Sequence, residues 1–172
     1  LSYAKIRFDS ASLATVTARL GDITDPLPRS LVWSALWDAT RDAELPASRF
    51  VDTVLAHIGR EHHSTTLRTV LQQLLLAASS YVAPDRREAA LHRTAEALWE
   101  LAQSAEAGTD RQFQFVKAFA QLAAGDDHLD IMLGLLEGRI ELGGLDIDTD
   151  LGWELLIALA AGGRVSGEEI DA

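Results

Sequence analysis

The chain has 172 residues, a formal net charge of −11, 48% hydrophobic residues and no cysteine. That size suits one domain with a real core, and the missing thiols exclude disulfides and thiolate zinc sites and fit a cytoplasmic protein. The acidic balance argues against nucleic acid and against an anionic membrane surface as partners, since both attract Lys and Arg; the longest apolar run, Leu155 to Ala161, is far short of the roughly 20 residues of a membrane span.

Tyr3-Ala-Lys-Ile-Arg-Phe8 alternates apolar and polar residues, the period of a half-buried strand. Asp9 or Ser10 then caps a helix over 11–20, which Gly21 stops. Nearly everything beyond is helical. Pro26 and Pro28 sit where a first turn tolerates proline and open a helix to about Ala43. Its apolar residues (Leu31, Val32, Trp33, Ala35, Leu36, Trp37, Ala39) surround much of its circumference, so it packs on several sides. Pro46 opens the next helix, carrying Phe50, Val54 and Ile58, and residues 59–63 turn. Ser64 caps a helix with Leu67, Val70, Leu71, Leu74, Ala78 and Tyr81 on its apolar side. Pro84 starts another, whose Leu91, Ala95, Leu98, Ala102 and Ala105 step by four and three. Helices over 110–123, 127–140 and 149–161 complete the pattern.

Repetition is the strongest organising signal. "TDRQFQFVKAFAQLAAG" (109–125) aligns with "TDLGWELLIALAAGG" (149–163) at an offset of about 40 residues, and the helix starts at Asp25 and Ser64 show a similar spacing. Paired helices at this period predict an all-α chain, a HEAT- or armadillo-like α-solenoid of antiparallel helix pairs with a short N-terminal strand. The expected organisation is a single helical-repeat domain over 1–172. Residues 1–24 give the leading strand and first helix, and 25–172 the pairs, with units at 26–59, 64–105, 109–140 and 148–172. Ser166-Gly-Glu-Glu-Ile-Asp reads as the start of a second helix at which the sequence stops, so a solenoid truncated at its C-terminal end is expected. The helix at 149–161 carries Leu151, Trp153, Leu155, Leu156, Ile157 and Leu159 around much of its surface. One stack of neighbours covers only part of that, which predicts an apolar patch and self-association through this end.

No stretch carries a complete catalytic pattern. In "AHIGREHHSTT", His57 and Glu61 have the spacing of two ligands on one helical face, but Gly59 interrupts the helix and His62 and His63 diverge; polar side chains in a solvated turn are the expectation. Asp146, Asp148 and Asp150 fall at the first three ligand positions of a calcium loop, yet Leu151 stands where glycine belongs and Ile157 where the bidentate Glu belongs. Asp148 or Thr149 as a helix cap, with Asp150 favoured by the dipole, explains the acids. "GDDHLD" (125–130) likewise reads as capping residues, since nothing nearby in sequence supplies the other ligands of a closed shell. Trp33, Trp37, Trp99 and Trp153 could line a groove, but aromatics at helical spacing are expected in the core. No G-x-S-x-G, phosphate-binding glycine loop or H-E-x-x-H is present. No catalytic, cofactor-binding or metal-ligating residue is assigned.

Three stretches in order, "YAKIRFD" at 3–9, "DPLPRSLVWSALWDATRDAELP" at 25–46 and "DTDLGWELLIALAAGGRV" at 148–165, resemble the helical C-terminal domain of zinc-dependent aminopeptidases of the aminopeptidase N family, particularly its actinobacterial branch. The resemblance runs over essentially the whole chain; Gly152 departs from it, where Arg more often precedes the Trp. It implies a parent enzyme that removes N-terminal residues from peptides, with zinc held by an H-E-x-x-H helix in an upstream catalytic domain. The solenoid would pack on that domain, roof an internal chamber and restrict peptide access. None of the zinc-binding motifs occurs here, so no catalytic residue carries over. An autonomous HEAT-like protein-interaction scaffold, or a small metal-dependent hydrolase, are the rival readings.

Overall fold

The computed structural model describes residues 4–123 and 125–164. Among them the regular structure is entirely helical: α1 (Ser10–Arg19), α2 (Pro26–Arg41), α3 (Ala47–His57), α4 (Ser64–Leu76), α5 (Pro84–Ser104), α6 (Asp110–Leu122), α7 (Asp126–Leu136) and α8 (Thr149–Ala161). The all-α class is as the periodicity predicts. The chain divides into two compact units, Leu1–Val82 and Ala83–Ala172.

The strand expected over 3–8 does not form among the described residues. Residues 4–9 run without regular structure. Alternation alone does not make a strand; a ladder partner is needed to satisfy the backbone. Charge holds this segment instead. Lys5 Nζ lies 2.8 Å from Asp42 Oδ2, Arg7 bonds the same carboxylate, and Arg7 Nε lies 2.7 Å from Glu44 Oε2.

In the first unit the helix starts follow local chemistry. Asp9 accepts from Ser12 N–H at 2.7 Å to cap α1, and Asp25 accepts from Leu27 N–H at 3.0 Å to cap α2. Ser64, expected as a cap, is instead the first residue of α4, and no side chain caps that helix. The α2 helix ends at Arg41, two residues earlier than expected, because Ala43 takes a left-handed conformation (φ 59°) that turns the chain into α3. Trp33, Leu36, Phe50, Val54, Ile58, Leu67 and Leu74 form the core. Tyr81 is not part of it. The last turn of α4 widens into a π-helical turn over Ala77–Tyr81, and the Tyr81 ring stacks on Trp37 at 5.7 Å from an exposed position.

The second unit pairs α5 with α6 and packs α8 on both α6 and α7. Its core contains Ala95, Leu98, Phe115, Phe119, Met132, Leu155 and Leu159. The 40-residue offset survives as a structural equivalence, since Phe115 and Leu155, and Phe119 and Leu159, are all buried at matching places of α6 and α8. Thr109 accepts from Gln112 N–H to cap α6, while Asp148 accepts from Leu151 N–H at 2.8 Å to cap α8. The helix expected over 127–140 is shorter and ends at Leu136. Gly138 turns left-handed (φ 69°), and Ile140 folds back so that its N–H donates to the Gly134 carbonyl at 2.9 Å. The helix start expected at 166–171 lies outside the described residues.

Candidate functional site

Three places carry polar or exposed chemistry. The first is the segment after α3, where the sequence hinted at metal ligands. His57, at the end of α3, has both ring nitrogens engaged: Nδ1 accepts from Gly21 N–H at 3.3 Å and Nε2 donates to the Thr17 carbonyl at 2.9 Å. It ties α3 to the end of α1. Glu61 is not in a solvated turn, contrary to the sequence reading, but 1% exposed. Arg29, 7% exposed on α2, donates from Nε to Oε2 at 2.9 Å and from Nη2 to Oε1 at 2.8 Å, and its Nη1 donates to the Ile23 carbonyl at 2.8 Å. His63 N–H adds a bond to Oε1 at 2.9 Å. Burial works to raise the Glu61 pKa, but the Arg29 guanidinium and the His63 N–H outweigh it, and the indole of Trp33 adds to them, so the carboxyl sits below its ordinary value. The Trp33 Nε1 is itself buried without a hydrogen bond of normal geometry. This is a structural clamp between α2 and the segment after α3, with no ligand atom of His57 or Glu61 left for a shared metal.

The second place is the face of α8. Leu151, Leu155 and Leu159, spaced four apart, are fully buried. Trp153 and Ile157, on the other side, are 49% and 63% exposed. Trp33 meets the expectation of a core tryptophan and Trp37 and Trp99 are half-buried, but Trp153 departs from it. The helix has apolar residues on more sides than its neighbours α6 and α7 cover. Beside Ile157 lies a groove of about 390 Å³ lined by Ala120, Leu129, Glu154, Ala161 and Gly162 among others. Glu154 closes one side, bonded to Lys117 at 2.9 Å and to Gln121 Nε2 at 3.2 Å. Partial burial raises its pKa, and these two partners more than reverse that, leaving it below its ordinary value.

The third place was only half legible. Asp126 and Asp127 occupy the first turn of α7, as dipole-favoured residues should, and Asp130 follows in the next turn. Arg164 reaches Asp126 and Asp130 at 3.0 and 3.2 Å. Asp127, however, faces a residue that no local pattern indicates. His92, from the middle of α5, lies with Nε2 at 3.1 Å from Asp127 Oδ2, and its ring stacks at 4.4 Å on that of His128. His128 is 2% exposed and sits edge-on to Phe119 at 5.5 Å. The only sequence signal for this meeting is that His92 and His128 each fall beside core positions of their helices.

Asp146, Asp148 and Asp150 do not converge as calcium ligands; Asp148 is spent on the α8 cap, and Leu151, in the place of the required glycine, is fully buried. Among the described residues no helix is long and apolar enough to cross a membrane.

Residues 1–172 match the family described as ERAP1-like C-terminal domain. The chain is also 45% identical over 172 residues to a protein named Aminopeptidase N from Streptomyces lividans, covering 100% of this chain and 20% of that relative. The chain therefore spans about one fifth of the length of the curated relative it matches. It belongs to the ERAP1-like C-terminal domain family.

Proposed function

We propose that this chain serves within a cytoplasmic zinc aminopeptidase, one that removes N-terminal residues from peptides, as the helical domain that roofs the active-site chamber and governs which peptides enter. One observation carries the reading: the match to an aminopeptidase N extends over the whole chain at 45% identity. In this reading the exposed Trp153–Ile157 face of α8 packs against another part of the same polypeptide. The chamber's peptide substrates and the upstream catalytic domain are then its partners.

The helical motif that holds the catalytic zinc in such enzymes has no counterpart in this sequence. The sequence contains no H-E-x-x-H. His57 and Glu61, the His–Glu pair after α3, are committed to Thr17, Gly21 and Arg29. No step of peptide hydrolysis is therefore assigned to this chain; its part is binding and exclusion.

A hydrolysis assay with an aminoacyl-anilide reporter tests the assignment. The 172-residue chain alone is expected to show no turnover, while the longer polypeptide that contains it cleaves the reporter and loses that activity when zinc is chelated. Turnover by the chain alone, or an inert longer polypeptide without a zinc-binding helix, would favour an autonomous hydrolase or a scaffold instead.

A further inference from the structure

The meeting of α5 with the start of α7 has the chemistry of a metal site. We propose that His92, Asp127 and His128 bind a divalent transition-metal ion of the zinc, cobalt or nickel class, clamping α5 to α7 within the second unit.

Each of the three residues offers one ligand atom, and these atoms all lie within 4.8 Å of one another. His92 Nε2 and His128 Nε2 stand 3.1 and 4.0 Å from the same Asp127 Oδ2. Ligand atoms around a tetrahedral zinc at about 2.0–2.1 Å are separated by roughly 3.3 Å. The pocket therefore needs to contract by up to about 1.5 Å at its widest. The residues that must move are able to: the side chains of His92 and Asp127 are 44% and 61% exposed. The third, His128, is held by Phe119 and by burial, so it acts as the fixed post.

The backbone suits the arrangement. Gly125, the residue before α7, has φ 92°, a conformation disfavoured for L side chains, and a Cβ there would come within 3.0 Å of Asp127 Oδ1 and 3.8 Å of His92 Cδ2. Glycine at this place lets the carboxylate fold back over the turn toward the imidazoles.

Two imidazoles and one carboxylate form a nitrogen-rich donor set of borderline softness, which favours zinc, cobalt or nickel over calcium or magnesium. Three protein ligands at a partly exposed position leave room for water to complete the shell. The site draws one ligand from α5 and two from α7, so binding would join elements about 35 residues apart in sequence.

Metal titration of the chelator-stripped chain tests this, with zinc competed against a chromophoric chelator and cobalt followed by its visible absorption. His62 and His63 form a second, exposed imidazole pair in the other unit, so the double variant His62→Gln/His63→Gln serves as the control. The expected result is one zinc per chain in both wild type and control. His92→Gln and Asp127→Asn, both surface changes, should each weaken binding about tenfold or more while leaving the metal-free circular dichroism unchanged. Zinc should also raise the melting temperature of wild type but not of His92→Gln. Equal affinity of wild type and His92→Gln, or loss of binding in the His62→Gln/His63→Gln control, overturns the proposal.

Discussion

Arg29 and Glu61, 32 residues apart in sequence, meet as a buried, two-pronged ion pair with both bonds under 3.0 Å. Removing one partner strands the other charge out of water, which costs about 3–5 kcal/mol. Arg29→Met and Glu61→Leu should each destabilise the chain by roughly that amount. The double replacement should recover most of it, because the apolar pair leaves no orphaned charge. Chemical denaturation at neutral pH measures all three. The pH dependence has a definite sign. Since the folded pKa of Glu61 lies below its unfolded value, the pair contributes its full stability above about pH 4.3 and loses it as pH falls through the lower, folded value. Wild type should therefore lose more stability on acidification through this window than the double variant.

The caps of α6 and α8 are related by the repeat but use different residues. Asp148→Ala and Thr109→Ala should each destabilise the second unit by about 1 kcal/mol, since each removes the side-chain acceptor of a first-turn N–H. Thermal unfolding of the single variants reads this directly, and the two losses should add.

Ala43 carries a strain that its sequence neighbours do not betray. It is the one non-glycine residue with positive φ among the described residues, and a left-handed alanine costs about 1–2 kcal/mol. Ala43→Gly should stabilise the chain by about 0.5–1 kcal/mol, after the glycine's greater freedom in the unfolded state is subtracted. A lower denaturation midpoint in the variant would show that the turn is not strained.

The face of α8 predicts solution behaviour. With Trp153 and Ile157 both exposed on one helix, the isolated chain should self-associate at high concentration, and Trp153→Glu or Ile157→Glu should shift it toward the monomer. Sedimentation velocity over a concentration series checks this; a strictly monomeric wild type contradicts it.

What the sequence made legible was local. Asp9, Asp25 and Asp148 cap the helices they precede, and Pro26 and Pro84 open theirs. What escaped depends on partners far along the chain. The alternation at 3–8 cannot distinguish a strand from an extended segment held by ion pairs to Asp42 and Glu44. Glu61 looked like a turn residue because the guanidinium that accompanies it into the interior lies on another helix. His92 gave only the weak signal of lying beside core positions of α5: it comes beside Asp127 and His128 only once the second unit has folded. The end of α7 at Leu136 depends on the fold-back of Ile140 onto Gly134, which helix periodicity does not encode.

Under the proposed function this domain governs access to a catalytic chamber and does no chemistry itself. The most direct measurement is the ratio of kcat/KM on a short peptide to that on a folded protein bearing the same N-terminal residues. It is to be taken with the active longer polypeptide and with a form lacking residues 1–172 that retains cleavage of an aminoacyl reporter. The account predicts strong preference for the short peptide in the intact enzyme and a large fall in that preference when the domain is removed. The same preference in both forms would contradict it.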